Sequence, residues 1–78
     1  MTRWITAIVI QYTDIPEGKY DVREEIFIID GLSTTYYVYN TVNVTDDYDA
    51  AVQQAETLAA LYDVPLNNHV TRTYGETL

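Results

Sequence analysis

One histidine, His69, stands in this 78-residue chain, and a side chain of that type is the first place to look for proton-transfer chemistry. A general base needs a nucleophile or an orienting carboxylate within hydrogen-bond reach. The sequence beside His69 offers only Asn67 and Asn68, so it reads as a turn or surface residue. Asp46-Asp47-Tyr48-Asp49 invites comparison with a calcium loop. It lacks the alternating ligand spacing, the central glycine and the closing bidentate glutamate that such a loop needs. Glu24 and Glu25 are adjacent, and neighbouring side chains on a strand point to opposite faces, so they make no carboxylate pair. Gly18, Gly31 and Gly75 are isolated and build no phosphate cradle, and there is no cysteine to form a disulfide or a thiolate metal site. The expectation is a protein without catalytic residues, bound metal or cofactor.

What remains is recognition chemistry. Twelve acidic residues face four basic ones, a formal charge of −8. A field of that sign repels nucleic acid and anionic membranes and favours a basic protein partner. The acids assigned to such a contact are Asp14, Glu17, Asp21, Glu24, Glu25, Asp30, Asp46, Asp47, Asp49 and Glu56. Eight tyrosines are a second enrichment. A tyrosine ring buries apolar area while its hydroxyl keeps a hydrogen bond, which suits contact surfaces.

These residues need a scaffold. Thr45 to Asp63 reads as helix, because Tyr48, Ala51, Val52, Ala55, Leu58, Ala59 and Tyr62 recur at three- and four-residue steps. Thr45 or Asp46 is placed to cap its start, and Val64-Pro65 marks its end. Arg3–Thr13, Tyr20–Ile29 and Thr34–Thr45 are rich in β-branched and aromatic residues and read as strands. Turns are expected at Asp14–Lys19 and at Asp30-Gly31, and a short last strand at His69–Tyr74. The expected fold is a single α+β domain over residues 1–78, ordered β-β-β-α-β. Its first three strands form an antiparallel meander, the helix packs on one face, and the fourth strand lies beside the first (order 4-1-2-3). The apolar run from Trp4 to Ile10 is too short to span a membrane. The chain is expected to be a soluble cytoplasmic protein with no membrane contact.

Strict alternation along the strands would put Trp4, Ile8, Ile10, Val22, Ile26, Ile28, Tyr36, Val38, Val42 and Val44 beneath the helix. One helix covers one side of a sheet. The other side would then present Ile5, Val9, Phe27, Ile29, Tyr37 and Tyr39, with Ala7 between them, as an apolar interface. Its expected occupant is a second copy of the chain, in a homodimer, or another protein.

The three strands, the acid-headed helix at Asp46–Asp49 and the overall charge resemble the small acidic proteins with which phages block bacterial defences, the anti-CRISPR proteins in particular. The resemblance covers the whole chain and rests on size, charge and element order. It implies a stoichiometric inhibitor of a basic, nucleic-acid-binding defence complex. Its acidic side chains would engage residues that otherwise hold phosphates. The alternative is a structural or assembly subunit that dimerises through its open sheet face.

Overall fold

The computed structural model describes residues 2–14, 17–31 and 34–70, and leaves the side chains of residues 14, 17 and 18 outside that description. Five elements follow one another: β1 (Thr2–Asp14), β2 (Glu17–Ile29), β3 (Thr35–Thr45), α1 (Tyr48–Tyr62) and β4 (Leu66–Asn68). The strands form one sheet in the order β3-β2-β1-β4, with β1 antiparallel to β2, β2 antiparallel to β3, and β4 parallel to β1. This is the expected α+β fold with the expected strand order.

The core lies under α1. Ile8, Ile10, Tyr20 and Val22 rise from the two central strands to meet Ala51, Ala55 and Ala59 of the helix. Three alanines at four-residue steps form a flat stripe, which lets the helix axis sit close to the branched side chains below. Tyr48, Val52, Leu58, Val64 and Leu66 close the margin of this cluster. Tyr62 was expected in the same stripe but is an exposed residue at the last helical position.

Both helix ends are satisfied locally. The N-cap is Asp47, one residue later than expected: its Oδ1 accepts from Ala50 N–H at 3.1 Å, while Thr45 Oγ1 accepts from Asp47 N–H at 3.1 Å. Thr45 is still a paired residue of β3 and Asp46 lies beside Lys19, so the cap passes to the second side chain beyond the ladder. At the other end Asp63 takes φ 56°, and the N–H of Val64 reaches the carbonyl of Ala59 at 3.0 Å. Such a left-handed cap is usually glycine, and aspartate is among the few side chains that tolerate it.

This tight reversal moves the last strand. Pro65 already accepts from Ile8 N–H at 3.0 Å, and β4 pairs Leu66, Asn67 and Asn68 with Ile8, Val9 and Ile10. The strand therefore precedes the expected segment. His69 follows it, donating its backbone N–H to Ile10 at 2.9 Å, and residues 71–74 lie outside the described residues. The expected turn residues 15–16 and 32–33 lie outside them too. Gly31 has φ 87°, the conformation for which the Asp30-Gly31 pair was read as a hairpin signal.

Two bulges overturn strict alternation. In β1, Ile5 pairs with Ile26 but Ala7 pairs with Glu25, which leaves Thr6 as an extra residue. In β3, Asn43 pairs with Val22 but Thr41 pairs with Arg23, which leaves Val42 extra. An inserted residue shifts the side-chain phase by one, so everything beyond it changes face. Ile5 consequently packs on the helix side, and Trp4, expected in the core, stands on the opposite side beside Phe27. Val42 and Val44, also expected in the core, are exposed, with Val44 opposite Asp21 on the face away from the helix. Asn43 takes their place on the helix side and donates to Gln54 at 3.0 Å. Tyr36 keeps its expected face, opposite Ile28, but is also exposed.

Candidate interaction surface

A helix of 15 residues is about 22 Å long. A strand of 13 residues reaches roughly 43 Å, and the long axis of the molecule measures 46 Å. The sheet is therefore about twice as long as the helix. On its far end Trp4, Phe27 and Tyr37 stand side by side on β1, β2 and β3. The Trp4–Phe27 centroids are 5.1 Å apart and edge-on, and the Phe27–Tyr37 centroids 5.0 Å apart and tilted. Trp4 is 44% exposed, Tyr37 56% and Tyr39 52%, so the row is a surface and not a core. Aromatic pairs at this spacing are each worth about 0.5–1.5 kcal/mol beyond their burial, which keeps the rings in one arrangement.

Next to the aromatic row on the same face lies a polar row on β2: Asp21, Arg23 and Glu25. Arg23 Nη2 bonds Asp21 Oδ2 at 2.6 Å, and its guanidinium carbon lies 5.7 Å from the centre of the Tyr39 ring. Thr41 donates to Asp21 at 3.3 Å, Tyr39 to Glu25 at 3.2 Å, and Thr6 to Glu25 at 2.9 Å. Glu25 raises the pKa of the Tyr39 phenol above its ordinary value, first through this hydrogen bond and then through its charge, so the neutral donor form is favoured. Asp21 is 7% exposed. Its Oδ1 and the Nε of Arg23 are buried without a hydrogen-bond partner among the described residues.

The acids assigned to a basic partner do not form one patch. Asp21 and Glu25 are held within the sheet face, and Glu24, on the helix side, accepts from Asn40 at 3.0 Å. Three consecutive residues of β3, Tyr39, Asn40 and Thr41, thus each engage an acid of β2. Asp30 accepts from Thr34 N–H at 3.3 Å, and Asp47 caps the helix. Asp46 is exposed and lies 3.5 Å from Lys19. Asp49 and Glu56 are exposed seven residues apart, on one flank of the helix. The side chains of Asp14 and Glu17 lie outside the described residues.

Of the expected apolar interface, Phe27, Tyr37 and Tyr39 share the face away from the helix, and Ile29 continues the row at its end. Val9 is on that face too but is only 1% exposed, so it offers a partner no area. Ile5 is on the other side. Sequence reasoning missed Trp4 and Thr6. The one trace of the bulge was Thr6 itself, the lone polar residue in the run from Trp4 to Ile10.

His69 is exposed, and no described group of three or more His, Asp or Glu side chains is arranged to hold a metal ion. Among the described residues no helix is long and apolar enough to cross a membrane. No known protein family, curated protein or solved structure matches this chain.

Proposed function

We propose that this chain is a non-enzymatic protein-interaction module whose contact surface is the aromatic end of the sheet face. The carrying observation is the row Trp4–Phe27–Tyr37, exposed, stacked across three strands and bordered by Tyr39, Arg23 and Glu25. Protein contacts concentrate their energy in aromatic and arginine side chains at the centre of a patch, with a polar rim around them. The surrounding negative charge selects a partner with basic residues near an apolar centre. The phage-type inhibitor of a basic defence complex is one form of this module. In this chain Asp46, Asp49 and Glu56 are among the exposed acids that would steer such an encounter.

The test is affinity capture from cells of the source with the full chain and with Trp4→Ser and Tyr37→Ser variants, at low and high salt. A partner retained by the unaltered chain, lost with either variant and weakened by salt is the expected result. If the same proteins are retained by all three, the aromatic face is not the contact surface. If capture is indifferent to salt, acid-steered binding is wrong.

A further inference from the structure

We infer that β3 is a pairing edge, and that its occupant is the β3 of a second copy of this chain, joined antiparallel across a two-fold axis. Three observations carry this, and none depends on the aromatic face being a partner site.

The first is geometric. β3 is the outer strand of the sheet, 11 residues long, and exposed along nearly its whole length. Among the described residues nothing pairs with its outer side, so alternate residues direct backbone N–H and C=O groups away from the sheet. Folded proteins guard such an edge with a lysine, a proline, a short strand or a covering segment. From Thr35 to Thr41 none of these is present, and the bulge at Val42 interrupts the ladder before it resumes at Asn43.

The second is electrostatic, and it selects the occupant. From Gly31 to Thr45 the chain carries no charged side chain, although it has 12 acids in all. The neighbouring acids of β2, Asp21, Glu24 and Glu25, are the ones engaged by Thr41, Asn40 and Tyr39. A basic partner would be drawn to acids. A second copy with a net charge of −8 can approach only where like charges do not meet, and this edge is such a place.

The third is self-complementarity. Opposed residues of an antiparallel pair point to the same face, so the two-fold axis must pass beside a residue and not between two. Using the whole regular run from Thr35 to Thr41 centres it on Val38. Tyr37 then stands opposite Tyr39 of the second copy, Tyr36 opposite Asn40, and Thr35 opposite Thr41. The row Trp4–Phe27–Tyr37 would continue across the axis into the second sheet, making one eight-stranded surface.

The experiment uses the full chain and is clean because the chain has no cysteine. Sedimentation at about 100 µM should show a dimer, since even a micromolar Kd leaves little monomer there. Raising the salt should tighten the dimer by screening the two acidic bodies, the opposite sign to binding of a basic partner. Single substitutions Val38→Cys, Tyr36→Cys and Asn40→Cys are then oxidised. Only Val38→Cys should give a symmetric disulfide, because adjacent antiparallel strands bring a residue at the axis within bonding range of its own copy. The double variant Thr35→Lys/Asn40→Lys should keep its circular dichroism and weaken the dimer by at least about tenfold, because lysines guard an edge. A monomer at that concentration overturns the proposal. So does a dimer that survives the two lysines, or one that Trp4→Ser dissolves, which would place the contact on the sheet face instead.

Discussion

The two ends of this sheet solve the same problem in opposite ways. Under the helix, Ile8, Ile10, Tyr20 and Val22 are stabilised by a second layer, and water is excluded from both sides of the contact. Toward the start of β1, on the face away from the helix, Trp4, Phe27 and Tyr37 are held by each other along the ladder, with one surface left in solvent. The backbone pairing runs continuously through both ends. Layering is thus what supplies stability here, and the uncovered end is where side chains are held in place without being hidden. A small domain has little apolar area to spare. Leaving four large aromatic side chains partly in water is a cost that recognition would explain.

That contrast can be broken by mutation. Ile10→Ala removes a fully buried side chain from the layered end and should lower the unfolding free energy by about 2–5 kcal/mol, enough to unfold much of the population at ambient temperature. Urea denaturation followed by circular dichroism reads it. Arg23→Leu comes next. It strips Asp21 of its charged partner and leaves a buried carboxylate with Thr41 alone, a loss of about 1–3 kcal/mol. The double variant Asp21→Val/Arg23→Leu should recover part of that loss, because neither charge is then buried unpaired. A double variant less stable than Arg23→Leu alone would mean that the pair is itself a net stabiliser. Asp47→Ala removes the helix cap and should cost about 1 kcal/mol, a fall in melting temperature of roughly 4–8 °C for a domain of this size. Smallest is Tyr37→Ser at the bare end, expected to cost less than about 1 kcal/mol because half of the ring is already wet. If Tyr37→Ser destabilises as much as Ile10→Ala, the bare end is a core and the comparison fails.

The sequence made the layered end legible and the bare end only in part. The alanine and Val52 spacing announced α1, and branched residues announced the strands, because periodicities of 3.6 and 2 follow directly from backbone geometry. Strand order followed from short connections. What alternation could not convey is a change of phase. Val42 is an ordinary strand residue that gives no sign of an insertion, and Thr6 gives only the faint one of a polar residue within an apolar run. Two bulges therefore misplaced Trp4, Ile5, Val42 and Val44 at once. The placement of β4 failed for a related reason. The reversal after α1 is carried by an aspartate in a left-handed conformation, where glycine would have announced it. Which acids would be engaged internally was also hidden, since it depends on register between β2 and β3 and not on composition.

The bulge at Thr6 has a consequence for how this surface can change over generations. The first strand carries one residue more than its partner needs at this point, so a loss of length there can be absorbed with no change of face. A chain lacking Thr6 would close the bulge into a regular ladder and leave Ile5 opposite Ile26 and Trp4 opposite Phe27, on the faces they hold now. Iodide quenching of the lone tryptophan, strong in the present chain and equally strong after the deletion, would report that the face is kept. Variation in the first few residues of such a protein is therefore best compared by the β2 residue each one faces before it is compared by count.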